Sequence, residues 1–203
     1  MNKCLLIAVI FLAMSNMSSA QFGLKAGFNL SHLSGNNDLV ANQASRVGFQ
    51  GGLMYKIPLK EDWLSVQPEL IYILKGGAFH IDQLKLDAKL DYIELPVMAV
   101  FNVFGGNLNF QAGPQFSYLT KVTYTVADET GQSETLNDKD LSNYNTFDIG
   151  LALGIGLELE IVMFELRYSV GFLALEKGFE YNGQFYDPSS KSFNAQLLFG
   201  YFF

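Results

Sequence analysis

The sequence predicts an all-β fold: an eight-stranded antiparallel up-and-down transmembrane β-barrel with short periplasmic turns and long extracellular loops. Three observations predict it. Apolar residues alternate with small or polar ones over eight separate stretches. The connections between those stretches are alternately long and short. The face opposite the apolar one carries glycines and amides, where a wetted surface would carry many charges.

The first stretch sets Phe22, Leu24, Ala26, Phe28 and Leu30 against Gly23, Lys25, Gly27 and Asn29. Its successors run Val47–Ile57, Leu64–Leu74, Ile93–Val103, Leu108–Tyr118, Phe147–Leu157, Val162–Phe172 and Phe193–Phe203. No long segment has a 3.6-residue period with caps, so little helix is expected. Short turns are predicted at Pro58 to Asp62, at Gly105-Gly106 and at Leu159-Glu160; long loops at Ser31–Arg46, Gly76–Lys89, Lys121–Asn145 and Ala174–Lys191. Both chain termini then lie on the short-turn side. Pro68, Pro96 and Pro114 fall inside consecutive strands. Proline donates nothing to a ladder and a closed barrel has no free edge, so bulges or broken pairing are expected there.

Composition supports a chain that faces lipid. Hydrophobic residues make up 49% and charged residues 16% of 203, against about 25% charged in a typical soluble domain. That mix excludes disorder, and a net charge of −7 excludes non-specific nucleic-acid binding. Residues 1–20 read as a secretory signal: Lys3 is the basic start, Cys4 to Met14 the apolar run, and Ser18-Ser19-Ala20 the small-residue cleavage site. The barrel domain is then 21–203, exported and integral to the outer membrane. It would lack Cys4, the sole cysteine, and with it any thiol nucleophile or thiolate metal site. No cofactor and no metal are expected.

The orientation of the apolar face follows from what opposes it. Ten glycines, from Gly23 to Gly200, with Gln50, Gln67, Gln111, Gln115, Asn194 and Gln196, suit a crowded lumen. The apolar face carries almost no charge, and Tyr55, Tyr72, Tyr118, Tyr168 and Tyr201 lie toward strand ends, as an interfacial girdle requires. The inward charges are Lys25, Lys56, Glu69, Glu94, Asp148, Glu158, Glu165 and Arg167. In so narrow a lumen they must neutralise one another. A polar network of Lys25, Glu69, Glu94, Asp148, Glu165 and Arg167 is expected, with Arg167 pairing with Glu165, Glu94 or Glu69 and Lys25 joining it.

The last loop holds Phe179, Tyr181, Phe185 and Tyr186 around Asn182-Gly183, a strong hairpin signal. An ordinary aromatic-flanked turn is the plainer reading, and a loop contact tip for a partner is the functional one. The hairpin could also continue the neighbouring strands as a ribbon. The loop Lys121–Asn145 is acidic, which would permit divalent-cation bridging to lipopolysaccharide. His32 and His80 fall in predicted loops, with Ser31 and Asp38 near the first.

The closing Phe199-Gly200-Tyr201-Phe202-Phe203 resembles the terminal signal by which the outer-membrane assembly machinery recognises its clients. Further motifs are Asp91-Tyr92-Ile93-Glu94-Leu95-Pro96-Val97, Ala112-Gly113-Pro114-Gln115-Phe116, the Gly-rich run Phe147–Leu157, and Phe164-Glu165-Leu166-Arg167-Tyr168. With Gly23–Asn29, they resemble the PorT-like outer-membrane β-barrel family of Bacteroidetes-type bacteria. The resemblance covers nearly all of 21–203 and implies an eight-stranded outer-membrane barrel. The namesake is associated with a protein-secretion system, and motifs that specify only the barrel do not transfer that role.

The reading is therefore a non-enzymatic, membrane-anchored structural or interaction component with a polar plugged lumen. Its expected partners are outer-membrane lipid and lipopolysaccharide, the assembly machinery during insertion, and an envelope protein complex. A narrow gated channel, or a lipid-modifying enzyme using the loop histidines, are the alternatives.

Overall fold

A computed structural model describes residues 21–34, 43–60, 63–81, 84–103, 107–127, 133–138, 141, 144–173, 175, 179–181, 184–186 and 191–203. The strands are β1 (Gln21–Ser34), β2 (Gln43–Lys60), β3 (Leu64–Ile81), β4 (Leu84–Val103), β5 (Leu108–Ala127), β6 (Ser133–Asp138), β7 (Phe147–Leu159), β8 (Val162–Gly171), β9 (Phe179–Tyr181), β10 (Gln184–Tyr186) and β11 (Lys191–Phe202). Sheet order is β4-β3-β2-β1-β11-β8-β7-β5, with β4 also pairing with β5, so these eight strands close into an antiparallel barrel. Following the registers once round returns to β1 displaced by about ten residues, which gives the strong strand tilt of a narrow barrel.

Alternation places the side chains. Phe110, Leu151 and Phe164 are 47%, 40% and 47% exposed on the outside, whereas Lys25, Gln50, Gln67, Glu69, Gln111 and Arg167 are buried inside. An apolar belt that encircles the molecule far exceeds any patch a soluble monomer tolerates. Exposed charges gather at its two edges: Lys60 and Glu160 at the short-turn end, Lys89, Lys121 and Lys191 at the other. Aromatics line the short-turn edge, where Phe22 stacks on Phe203 (6.1 Å) and Trp63 meets Phe101 (6.4 Å).

Two expectations need correction. The predicted loops Gly76–Lys89 and Lys121–Asn145 are largely strand. β3 and β4 stay paired to Ile81↔Leu84, and β5 runs on to Ala127 beside β6. β3, β4 and β5 have 18, 20 and 20 residues, where a tilted crossing needs about 9–11. The excess forms a sheet standing beyond the belt. His32 and His80 accordingly lie in β1 and β3, paired with Phe193 and Lys85, and not in loops. Outside hydrocarbon the backbone ladder continues, but an apolar outward row is no longer required, so the alternation fades before the strand ends.

The prolines break pairing without shifting register. Between Met54↔Glu69 and Ile57↔Val66, between Pro68↔Val97 and Ile71↔Glu94, and between Pro96↔Gln115 and Ala99↔Ala112, ladder pairs are missing while the offset is kept. Irregular registers lie elsewhere, at Asp91/Tyr92, Ser45/Gln50 and Pro58/Lys60. The turn between β7 and β8 centres on Glu160, whose φ of 51° is the left-handed conformation demanded by a two-residue hairpin. The turn at Gly105-Gly106 lies outside the described residues, as do residues 1–20 and Asp38.

Candidate functional site

Among the described residues, buried charge is concentrated in the lumen. Lys25 on β1 sits between Gly52 of β2 and Gly200 of β11, so nothing on either flanking strand blocks its side chain. Arg167 and Glu165 on β8 face Gly154 and Gly156 of β7. A Cβ built at Gly154 would lie 3.0 Å from Glu165 Oε1, so glycine there makes room for the carboxylate.

The result is a closed cycle of four buried ions. Lys25 Nζ contacts Glu69 Oε1 at 2.6 Å and Glu165 Oε2 at 2.8 Å. Arg167 donates from Nη1 and Nη2 to the two oxygens of Glu69, each at 2.8 Å, and from Nε to Glu165 Oε1 at 2.5 Å. Gln67 Nε2 adds a hydrogen bond to Glu69 Oε1 at 2.8 Å. Two cations and two carboxylates cancel, and each ion touches both of its opposites. That arrangement offsets the cost of burying charge, several kcal/mol per ion when unpaired. Neither Glu69 nor Glu165 is left as an unpaired acid or base for glycosidase-type chemistry.

Glu94 and Asp148 stand apart from the cycle. Glu94 binds Lys75 at 2.5 Å and accepts a hydrogen bond from Ser117 Oγ at 3.1 Å. The pairing of Arg167 with Glu94 is therefore not formed. Lys75 lies at the edge of the predicted loop, and only the longer course of β3 shows that it points inward. Asp148 is half-buried and accepts the backbone N–H of Leu173 at 2.9 Å. Toward the short-turn mouth, Lys56 Nζ bonds both oxygens of Glu158, at 2.8 and 2.6 Å.

An apolar cluster lies toward the other end. Ile71 and Ile73 of β3, Leu90 and Tyr92 of β4, and Leu119 and Val122 of β5 pack with Tyr144 and Leu175 from the connecting segments. The hydroxyls of Tyr144 and Tyr124 share a hydrogen bond of 2.7 Å, and Asn145 N donates to Leu175 O at 2.8 Å. The inward strand positions here are apolar, so the lumen is polar only in part.

The predicted contact tip forms a hairpin of its own. β9 pairs with β10 from Phe179↔Tyr186 to Tyr181↔Gln184, as a two-stranded sheet separate from the barrel, not as a continuation of its strands. Asp128, Glu129 and Asp140 of the acidic loop lie outside the described residues. Among the described residues no His, Cys, Asp or Glu group is arranged to hold a metal.

The comparisons agree with this geometry. Residues 13–175 match the family model described as outer membrane protein beta-barrel domain. No protein of curated function matches the sequence. Among solved structures, Neisserial surface protein A is similar at 12% identity, covering 92% of this chain and 100% of that one, with a TM-score of 0.56. Ail, the attachment invasion locus protein of Yersinia pestis, is similar at 14% identity, covering 91% and 99%, with a TM-score of 0.50. At such identities the likeness is one of fold. A closed eight-stranded barrel with an apolar exterior, matched by that model over most of its length, belongs to the outer membrane protein β-barrel domain family and is integral to the outer membrane.

Proposed function

We propose that this protein is a non-enzymatic anchor with a closed lumen, which holds an extracellular β-sheet at the outer membrane for contact with another envelope or surface component. The observation that carries the reading is the pairing of two closures with one overhang. The four-ion cycle and the apolar cluster stand inside the barrel, which supports a closed lumen, while β3, β4, β5 and β6 extend beyond the length a crossing needs. A pore would need the lumen, and a contact platform needs the overhang.

Within the family, the Asp91–Val97 and Ala112–Phe116 motifs support a PorT-like affiliation, and residues 1–20 support export by a cleaved signal. Lipopolysaccharide around the belt and the assembly machinery at insertion are the further partners of this reading.

The experiment is blue-native electrophoresis of gently solubilised outer membranes, with planar-bilayer recording of the purified barrel. The reading predicts a species above monomer mass, lost when residues 78–86 are replaced by a two-residue turn, and no conductance above background. A bare monomer under every mild condition, or steady conductance, would contradict it.

A further inference from the structure

The proline-broken part of the wall has a recess on its outer surface. Pro68 and Pro96 lack the N–H that a ladder uses, and the missing pairs on either side of β3 flank them. There, a cavity of about 180 Å³ is lined by Phe22, Leu53, Tyr55, Pro68, Leu70 and Leu95. Met54 and Glu69, whose side chains are buried in the lumen, also border it.

Its occupant follows from its position. Leu53 and Leu70 are exposed on the apolar belt, and the belt lies in hydrocarbon. Water gains little in so apolar a recess, because it would find almost no hydrogen-bond partners. Phe22 is the second residue of β1 and stacks on Phe203, so the recess lies toward the short-turn end. That is the periplasmic half of the bilayer, where the outer membrane carries phospholipid. A flexible acyl chain can lie along so shallow an apolar recess, whereas a folded partner would find little there to grip.

We propose that this recess binds one acyl chain of a periplasmic-leaflet phospholipid and holds it longer than lipids elsewhere around the barrel. The full chain, exported and folded, is reconstituted in nanodiscs of phosphatidylethanolamine and phosphatidylglycerol. It is then extracted into mild detergent and weighed by native mass spectrometry. The wild type and a Leu153→Trp control on the regular wall are expected to retain one phospholipid. Leu95→Trp, which fills the recess, is expected to lower retention at least fivefold. In the unmodified protein, a mid-chain nitroxide phospholipid is expected to broaden the methyl signals of Leu70 and Leu95 more than those of Leu151 and Leu153. Retention unaffected by Leu95→Trp, no phospholipid on the wild type, retained lipopolysaccharide instead, or equal broadening at all four leucines would each overturn the proposal. The broadening needs no variant, so it decides the matter even if Leu95→Trp does not fold.

Discussion

Arg167 grips both oxygens of Glu69 across the lumen at 2.8 Å, although the two residues are 98 positions apart in the chain. The fork geometry of guanidinium suits this two-point contact, which a lysine could not copy. The remaining Arg167 donor, Nε, reaches Glu165, and Lys25 closes the cycle between the two carboxylates.

Arg167→Met removes one cation and leaves two carboxylates around Lys25 among buried side chains. The expected loss is about 3–5 kcal/mol of unfolding free energy, the usual cost of orphaning a buried charge. Urea titration in micelles measures it. Arg167→Gln combined with Glu165→Gln restores neutrality and is expected to lose less than Arg167→Met alone. Equal losses would show that net charge is not what the cycle balances.

Gly154→Leu tests the room beside Glu165. Its Cβ would already press on Glu165 Oε1 at 3.0 Å, and the rest of the side chain would displace the carboxylate. A loss of about 1–3 kcal/mol, typical of overpacking, is expected. It is read as a lowered unfolding temperature by heat-modifiable gel mobility.

Much of this fold is legible in the sequence because lipid imposes one rule on every crossing. Leu151, Leu153, Ile155 and Leu157 are outward, and their alternation with Ala152, Gly154 and Gly156 fixes the strand's register against its surroundings. The same rule explains what was hidden. Beyond the belt the outward row is free to be polar, so the apolar alternation stops at Leu74 although β3 runs to Ile81. Ile71 and Ile73 share the inward parity of Glu69 on β3, but alternation does not tell that Tyr144 and Leu175 pack against them. Lys25, Glu69, Glu165 and Arg167 could be assigned to the lumen from parity alone. The choice of Lys75 for Glu94 depended on the course of β3 above the membrane.

Depth along the wall sets the cost of an outward charge. Leu153→Arg, near the middle of β7, is expected to lose about 2–4 kcal/mol, while Leu159→Arg at its short-turn end loses about 0–1. Refolding into phospholipid vesicles with urea titration measures both. A soluble barrel would tolerate the two alike.

The most direct test of the lipid-facing belt uses Trp63, the single tryptophan of the chain, which is exposed at the short-turn edge beside Phe101. Fluorescence in vesicles of lipids brominated at different depths reads its position. The account predicts that bromines near the headgroup quench Trp63 strongly and bromines near the chain ends quench it weakly. Emission unchanged by bromine at any depth would mean that the apolar exterior does not lie in the bilayer.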